Sequence, residues 1–291
     1  MKTILITGAN GQLGREFMAL AHRYPSNHFL FASRKELDLC SAENTEQFFH
    51  ENQIDLCINC AAYTAVDKAE TEVEDCMAVN VNGAGLLAEF CELQQIPMVH
   101  ISTDYVYHGT QNLPYLESDI HNPQGVYAKT KYAGEHLVLE KNTRAIVIRT
   151  SWVYSIYGHN FVKTMLRLGT ERPEINVVFD QIGSPTFAAD LADAIMNIIA
   201  AIDSGLISWE EASGVYNYSN EGVASWFDFA KAIFEIKGVD CVVHPVRSDQ
   251  FTTAAARPPF SLMDKTLIKN TFGLKIPYWR DSLKIMLNTQ A

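Results

Sequence analysis

The first fourteen residues constrain this chain more than any other segment. Lys2 to Thr7 form a short run rich in β-branched residues that passes without a break into Gly8-Ala9-Asn10-Gly11-Gln12-Leu13-Gly14. After that GxxGxxG turn, Leu13, Phe17, Leu20 and Ala21 recur at helical spacing. Glycine is needed in such a turn because its backbone angles are ones other residues resist, and because a pyrophosphate must approach the main chain closely. The start of the following helix offers unpaired N–H groups and a partial positive charge to the phosphates. Three glycines alone would be weak evidence. With a strand before and an amphipathic helix after, they predict a dinucleotide site made of Gly8, Asn10, Gly11, Gln12, Leu13 and Gly14.

The same alternation continues. Candidate strands Phe29 to Ser33, Asp55 to Cys60, Met98 to Ser102 and Ala145 to Thr150 are separated by segments of helical period, the longest being Val73 to Leu93. This is the pattern of βαβ units around a parallel sheet, so the fold class is α/β, a Rossmann-type doubly wound parallel sheet. Residues 1–150 read as the dinucleotide-binding domain. Beyond about residue 151 the alternation loosens into loops at Tyr154 to Asn160, Gln181 to Thr186 and Ala254 to Pro259, which predicts a smaller, interleaved C-terminal substrate lobe over residues 151–291. One helix there is expected to start at Ser225, whose side chain can cap it, with Asp228 three residues on.

The chain has 291 residues, 47% of them hydrophobic, enough for one large α/β domain with a smaller lobe. Its 23 Lys plus Arg against 34 Asp plus Glu give a net charge of −11, which excludes a broad electrostatic grip on nucleic acid. No apolar run approaches a membrane span, and the apolar start at Ile4 to Ile6 is cut short at Gly8, too soon for a secretory segment, so the default expectation is a cytoplasmic protein. Cys57 and Cys60 form a CxxC within an apolar strand, where an extended chain points them to opposite faces; they read as buried free thiols.

Cofactor choice is set near the end of the second strand, where NAD-selective sites place a carboxylate on the ribose 2′-OH. Here stand Ser33, Arg34 and Lys35, with no acid to repel a 2′-phosphate and two cations to attract one, so NADPH is expected and NADH is the alternative.

Tyr127 and Lys131 make a YxxxK pair near the start of a helix running to Lys141, so both side chains share a face. With 12 tyrosines in the chain the motif alone decides nothing. Its company does: Val99 to Asp104 runs off a buried strand, and ligands of such folds bind beyond the carboxyl ends of strands, which offers Thr103 to the same crevice. The chemistry that follows is hydride delivery to a carbonyl carbon, with Thr103 hydrogen-bonding the carbonyl oxygen and Tyr127 protonating it. Lys131 is expected to lower the tyrosine pKa and to hold the nicotinamide ribose.

The segments TGANGQLG, YTAVDKAE, VNVNG, STDYVYHG, YAKTKYAGE, IRTSWVY, GSPTFAADLA and ARPPFSLMD extend over nearly the whole chain. In these it resembles the dTDP-4-dehydrorhamnose reductases, the RmlD-like branch of the extended short-chain dehydrogenases. The resemblance implies reduction of dTDP-4-dehydro-β-L-rhamnose at C4 to dTDP-β-L-rhamnose. It implies catalytic roles for Thr103, Tyr127 and Lys131, and pyrophosphate contacts from Gly11, Gln12 and Leu13. Asp38 and Leu39 would meet the adenine, and Ala61, Ala62 and Tyr63 the far side of the dinucleotide. Asp104, Tyr105 and Trp152 would meet the sugar, the indole offering an apolar face to a deoxyhexose. Tyr107 stands where the family usually has phenylalanine, and His108 where an aspartate is common.

Arg257 is the candidate for the substrate diphosphate, because a guanidinium fork fits phosphate oxygens. Some relatives dimerise around a magnesium ion. Glu16 matches one ligand, but Asn288 to Ala291 supply no acid, so no metal is expected, while a homodimer stays open. Two alternatives remain: another sugar-nucleotide reductase or epimerase of the same family, or a non-catalytic NADP-binding regulatory subunit of the kind that modulates methionine adenosyltransferase. The catalytic trio favours the enzyme.

Overall fold

The computed structural model describes residues 1–109, 111–251 and 253–289. The first half lays down β1 (Lys2–Thr7), α1 (Gln12–Leu20), β2 (Asn27–Ala32), α2 (Ala42–Glu51), β3 (Leu56–Asn59), α3 (Val73–Met77), α4 (Ala84–Leu93), β4 (Met98–Thr103), α5 (Gly125–Lys141) and β5 (Ala145–Thr150). The second half adds β6 (Val153–Tyr154), α6 (Phe161–Glu171), β7 (Glu174–Val178), β8 (Ile182–Gly183), β9 (Thr186–Phe187), α7 (Ala188–Asp203), α8 (Trp209–Ala212), β10 (Gly214–Asn217), β11 (Ala224–Ser225), α9 (Trp226–Lys237), β12 (Val242–Val246), α10 (Thr266–Phe272) and α11 (Trp279–Thr289).

Six strands form one parallel sheet in the order β10-β5-β4-β3-β1-β2. The order reverses beside β1, so β1 and β3 diverge at their carboxyl ends and leave the crevice in which such sheets hold ligands. The central strands β3, β4 and β5 are buried on both faces and correspondingly apolar. Against one face Ile4, Ile6, Ile58 and Ile148 meet Phe17 of α1 and Leu191 and Ile195 of α7. Against the other, Leu5, Cys57 and Val147 meet Phe49, Leu87 and Val138 from α2, α4 and α5. The second half is interleaved with the first, since β10 completes the sheet beside β5 and α7 covers the face that α1 begins. A separate core gathers Val162, Ile175, Phe229, Ile233, Val243 and Leu283 from the remaining elements.

Three expectations of local structure change. The long helical segment from Val73 to Leu93 is broken by a π-helical stretch, Ala78–Gly83, which turns Asn80 inward. Residues 181–186 are not all loop, because Ile182–Gly183 pairs antiparallel with Ala224–Ser225. The third strand ends at Asn59, whose side-chain oxygen accepts the N–H of Ala61 at 3.1 Å and so bends the chain out of the ladder. The helix at Ser225 forms as read: Asp228 N–H donates to Ser225 Oγ at 3.0 Å while Ser225 N–H donates to Asp228 Oδ2 at 2.9 Å. All six cysteines are free. Among the described residues no helix is long and apolar enough to cross a membrane.

Candidate active site

The glycine turn has the shape of a phosphate cradle. Gly8 adopts φ +62°, and a Cβ there would come within 2.7 Å of Ala61 N. A Cβ on Gly14 would lie 2.6 Å from Gly8 O, so the turn closes only with a bare backbone at both positions. No side chain caps the N-terminus of α1 at Gly11, which leaves the first-turn N–H groups near Gln12 and Leu13 available to an anion. Asn10 and Gly11 are exposed while Leu13 is buried beneath them. Gln12 is tied across to the second lobe: its amide donates to Val153 O at 3.4 Å and accepts from Asn160 at 3.0 Å. These features fit a dinucleotide pyrophosphate.

At the end of β2 the expectation that no acid is present is corrected. Glu36 folds back so that its carboxylate accepts the Ser33 N–H at 2.9 Å and the Ser33 hydroxyl. Those two bonds hold its pKa below the usual carboxylate range. Arg34 is exposed and lies 3.7 Å from Asp38. Asp38 in turn accepts the Cys40 N–H at 3.1 Å. Leu39 is buried in the core, its side chain and its carbonyl oxygen both close to Gly83. Ala61, Ala62 and Tyr63 follow β3 as a partly exposed loop. Asn80 fixes that loop, accepting the Tyr63 N–H at 2.9 Å and donating to Tyr63 O at 3.2 Å. The Tyr63 hydroxyl donates to Glu72, which raises its pKa to about 12.

Thr103 is the last residue of β4 and Tyr127 lies in the first turn of α5. The sheet and helix bring the two side chains near each other, and the Thr103 hydroxyl favours the ionised form of Tyr127. Thr103 Oγ1 also donates to Asp104 Oδ1 at 3.2 Å and accepts the Tyr105 N–H at 3.2 Å. The Tyr105 ring meets Tyr127 edge-on, with centroids 5.6 Å apart. Burial pushes Tyr127 up to about 12, with Thr103 opposing the shift. The expected lowering by Lys131 is therefore not found. The reason is geometric: Lys131 Nζ is drawn away to donate to Ile101 O at 2.6 Å, and its own burial brings it down to about 8.

Asp104 is buried, and its Oδ2 makes no hydrogen bond among the described residues. Burial pushes it up to about 7, while the nearby Ser261 and Thr103 hydroxyls pull the other way. Trp152 sits at φ +48°, a left-handed conformation that costs a non-glycine residue free energy and that marks functional sites. One indole face is already covered by Trp226, stacked 3.7 Å away, and Gly183 lies against the ring as well. Arg257 is not free in this state. Its guanidinium pairs with Asp67 Oδ2 at 2.7 Å and donates to Ala255 O at 3.0 Å, fastening the late segment to the loop before α3. Burial and Asp104 raise the Tyr105 pKa, and the Arg257 charge opposes that rise.

Sequence reasoning passed over a buried polar layer behind these residues. Glu135 and Arg149 form an ion pair at 2.5 Å, 0% and 2% exposed. Arg149 also donates to the Tyr107 hydroxyl at 2.8 Å, and Tyr107 donates to Asn217 Oδ1 at 3.0 Å. Tyr107 thus uses an oxygen that phenylalanine lacks. Thr7, Asn59 and His100 line up beneath Lys131, and Glu70 accepts the Val126 N–H at 2.9 Å at the start of α5. Glu16 is buried and accepts from Ser155 at 2.6 Å; Gln290 and Ala291 lie outside the described residues.

The family model described as the RmlD substrate binding domain matches residues 1–291. The chain is 39% identical to a dTDP-4-dehydrorhamnose reductase of Sinorhizobium fredii over 97% of this chain and 95% of that one. It is 34% identical to a dTDP-4-keto-6-deoxy-D-glucose reductase of Streptomyces niveus, over 96% and 94% of the two chains. Among solved structures, the Bacillus anthracis dTDP-4-dehydrorhamnose reductase in complex with NADP is similar at a TM-score of 0.92 and 39% identity, covering 99% of this chain and all of that one. The Thermus thermophilus UDP-glucose 4-epimerase, 18% identical with a TM-score of 0.80 over 98% of each chain, shares the fold alone. A full-length family match, the glycine cradle and the Thr103, Tyr127 and Lys131 constellation lead to one statement: this chain belongs to the RmlD family of dTDP-4-dehydrorhamnose reductases.

Proposed function

We propose that this protein is an NADPH-dependent oxidoreductase that reduces the C4 keto group of dTDP-4-dehydro-β-L-rhamnose, giving dTDP-β-L-rhamnose. The observation that carries the reading is the placing of Thr103 at the carboxyl end of β4 and of Tyr127 in the first turn of α5, with Tyr105 edge-on to Tyr127, beside the crevice that the glycine turn opens. NADPH, when bound, supplies the hydride. Gly8 to Gly14 hold its pyrophosphate through the α1 N-terminus, and the loop of Ala61, Ala62 and Tyr63 bounds the far side.

The residues of this chain manage the proton. Tyr127, with a pKa near 12, stays protonated at neutral pH, so its hydroxyl is ready to donate to an oxygen that becomes more basic than phenolate. Thr103 donates a second hydrogen bond to the same oxygen and orients it. Lys131 lies one helical turn along from Tyr127 and steadies the ribose. Asp104, Tyr105 and Trp152 receive the sugar. Arg257 exchanges Asp67 for the substrate diphosphate, a better match for its fork. Residues 151–291 act mainly as the substrate lobe, and the protein works on a soluble nucleotide sugar in the cytoplasm, with a homodimer as its candidate assembly.

The test mixes the protein with NADPH and dTDP-linked 4-keto-6-deoxyhexoses of both configurations and follows loss of the reduced nicotinamide absorbance. Stoichiometric oxidation with the L-sugar is expected, and Tyr127→Phe should keep cofactor binding while losing most turnover. Interconversion of sugars without net NADPH consumption would sink the proposal in favour of an epimerase.

A further inference from the structure

A chain of buried polar groups runs under the catalytic lysine, and its hydrogen bonds can be assigned in only one direction. The starting point is the Ala61 N–H, which can only donate. It reaches Asn59 Oδ1 at 3.1 Å and Thr7 Oγ1 at 3.3 Å, while Thr7 Oγ1 donates to Asn59 Oδ1 at 2.6 Å. The Asn59 atom in that position must therefore be the oxygen. Its NH2 then points at His100 Nδ1, 3.0 Å away, which must present a lone pair. An imidazolium, with hydrogens on both nitrogens, would set N–H against N–H here. Consistent with that, burial and the nearby Lys131 keep the His100 pKa well below its ordinary value.

A neutral ring without hydrogen on Nδ1 carries it on Nε2, and Nε2 faces Lys131 Nζ at 3.4 Å. An ammonium has three hydrogens and no lone pair, so it can satisfy Ile101 O but can only oppose a ring N–H. An amine can do both, donating to Ile101 O and accepting from His100. We propose that His100 is a positioning residue for Lys131: Asn59 locks its ring as the tautomer with hydrogen on Nε2, and this N–H disfavours the ammonium of Lys131, weakening its hold on the proton in the cofactor-free site.

The other groups around Lys131 do not reverse this. Glu135, one turn along α5, favours the ammonium, but its carboxylate is engaged by Arg149 and by Ser102 Oγ at 2.8 Å. Cys76 from α3 is a thiol 3.2 Å from Thr130 Oγ1, with Glu70 beyond it. Against both of them, burial brings Lys131 down to about 8. In the cofactor-free enzyme, Lys131 thus sits between Ile101 and His100 with its proton more weakly held than an ordinary lysine's.

The inference rests on reading Lys131 as the lysine of the reactive site, and its test uses no turnover, so it fails independently of the enzymatic reading. Protein labelled with ring-15N histidine is examined by long-range proton–nitrogen spectra from pH 6 to 9, with His100 assigned by its loss in His100→Gln. A neutral, non-titrating ring with hydrogen on Nε2 is expected. In parallel, the Lys131 Cε resonance, assigned by its loss in Lys131→Met, is titrated in wild type and two variants. His100→Gln keeps the polarity, accepting from Asn59 and offering N–H to Lys131, and should leave the midpoint in place. His100→Leu removes the opposing N–H and should raise the midpoint, a tenfold or larger change in the ionisation constant. An imidazolium, a ring with hydrogen on Nδ1, or equal midpoints in the Leu and Gln variants would overturn the proposal. Should His100→Leu fail to fold, the tautomer measurement decides alone.

Discussion

Replacing Glu135 with Leu offers a quantitative test of how the catalytic helix is anchored. Glu135 and Arg149 are 0% and 2% exposed, and the carboxylate takes the guanidinium in two bonds, at 3.1 Å from Nε and 2.5 Å from Nη2. Without the carboxylate, Arg149 would keep only the Tyr107 hydroxyl at 2.8 Å and Glu117 O at 3.3 Å, neither of them charged. Breaking a buried pair by removing one partner costs about 3–5 kcal/mol, because a charge is stranded in low dielectric. At about 2 °C per kcal/mol for a chain of this size, Tm should fall by roughly 6–10 °C. The double variant Glu135→Leu with Arg149→Met removes both charges and keeps apolar volume, so it should regain most of the loss. Urea and thermal unfolding followed by circular dichroism give both numbers. If the single variant lost under about 1 kcal/mol, or if the double variant were no more stable than the single, the claim that an uncompensated charge dominates would be wrong.

Other consequences are as direct. Glu36→Gln should raise the ratio of kcat/KM for NADPH over NADH several-fold, because it removes a negative charge from the Ser33 N–H where a 2′-phosphate would lie; an unchanged ratio would remove Glu36 from cofactor choice. Gly14→Ala sets a Cβ 2.6 Å from Gly8 O and 2.7 Å from Ala9 Cα, both rigid backbone, and should cost about 1–3 kcal/mol together with NADPH affinity measured by fluorescence titration. Asp104, raised to about 7 in the folded protein from 3.8, holds its proton more tightly when folded. Its contribution to stability is therefore present at low pH and lost as pH rises toward 7, so Asp104→Asn should flatten the decline in Tm between pH 5 and 8; a slope equal to wild type would refute the assignment.

The sheet and its cradle were legible because local signals and tertiary demands agree there. The run from Lys2 to Thr7 and the glycines after it need no distant partner to declare themselves. What stayed hidden depended on partners far along the chain. Asn80 lies in a segment whose apolar spacing reads as one continuous helix, and only its bonds to the Tyr63 backbone explain the wider π turn. Glu36 was missed because it lies past the two cations that drew attention and curls back three residues to Ser33. For Lys131 the spacing from Tyr127 was readable, yet the charge state was not, since that depends on Ile101 and His100 on the neighbouring strand. Tyr107 looked like a departure in the sugar pocket, whereas its oxygen faces Arg149 inside the protein.

The late arrival of β10 bears on how the polypeptide leaves the ribosome. Until Gly214–Asn217 has been made, β5 presents an open ladder of N–H and C=O groups, and until Ala188–Asp203 follows, Ile4, Ile6 and Ile148 have no helix α7 to cover them. A nascent chain stopped near residue 150 would hold the whole glycine turn and still expose a sticky sheet edge and a bare apolar face. Residues 1–150 on their own therefore lack the strand and the helix that cover this edge and this face in the finished protein.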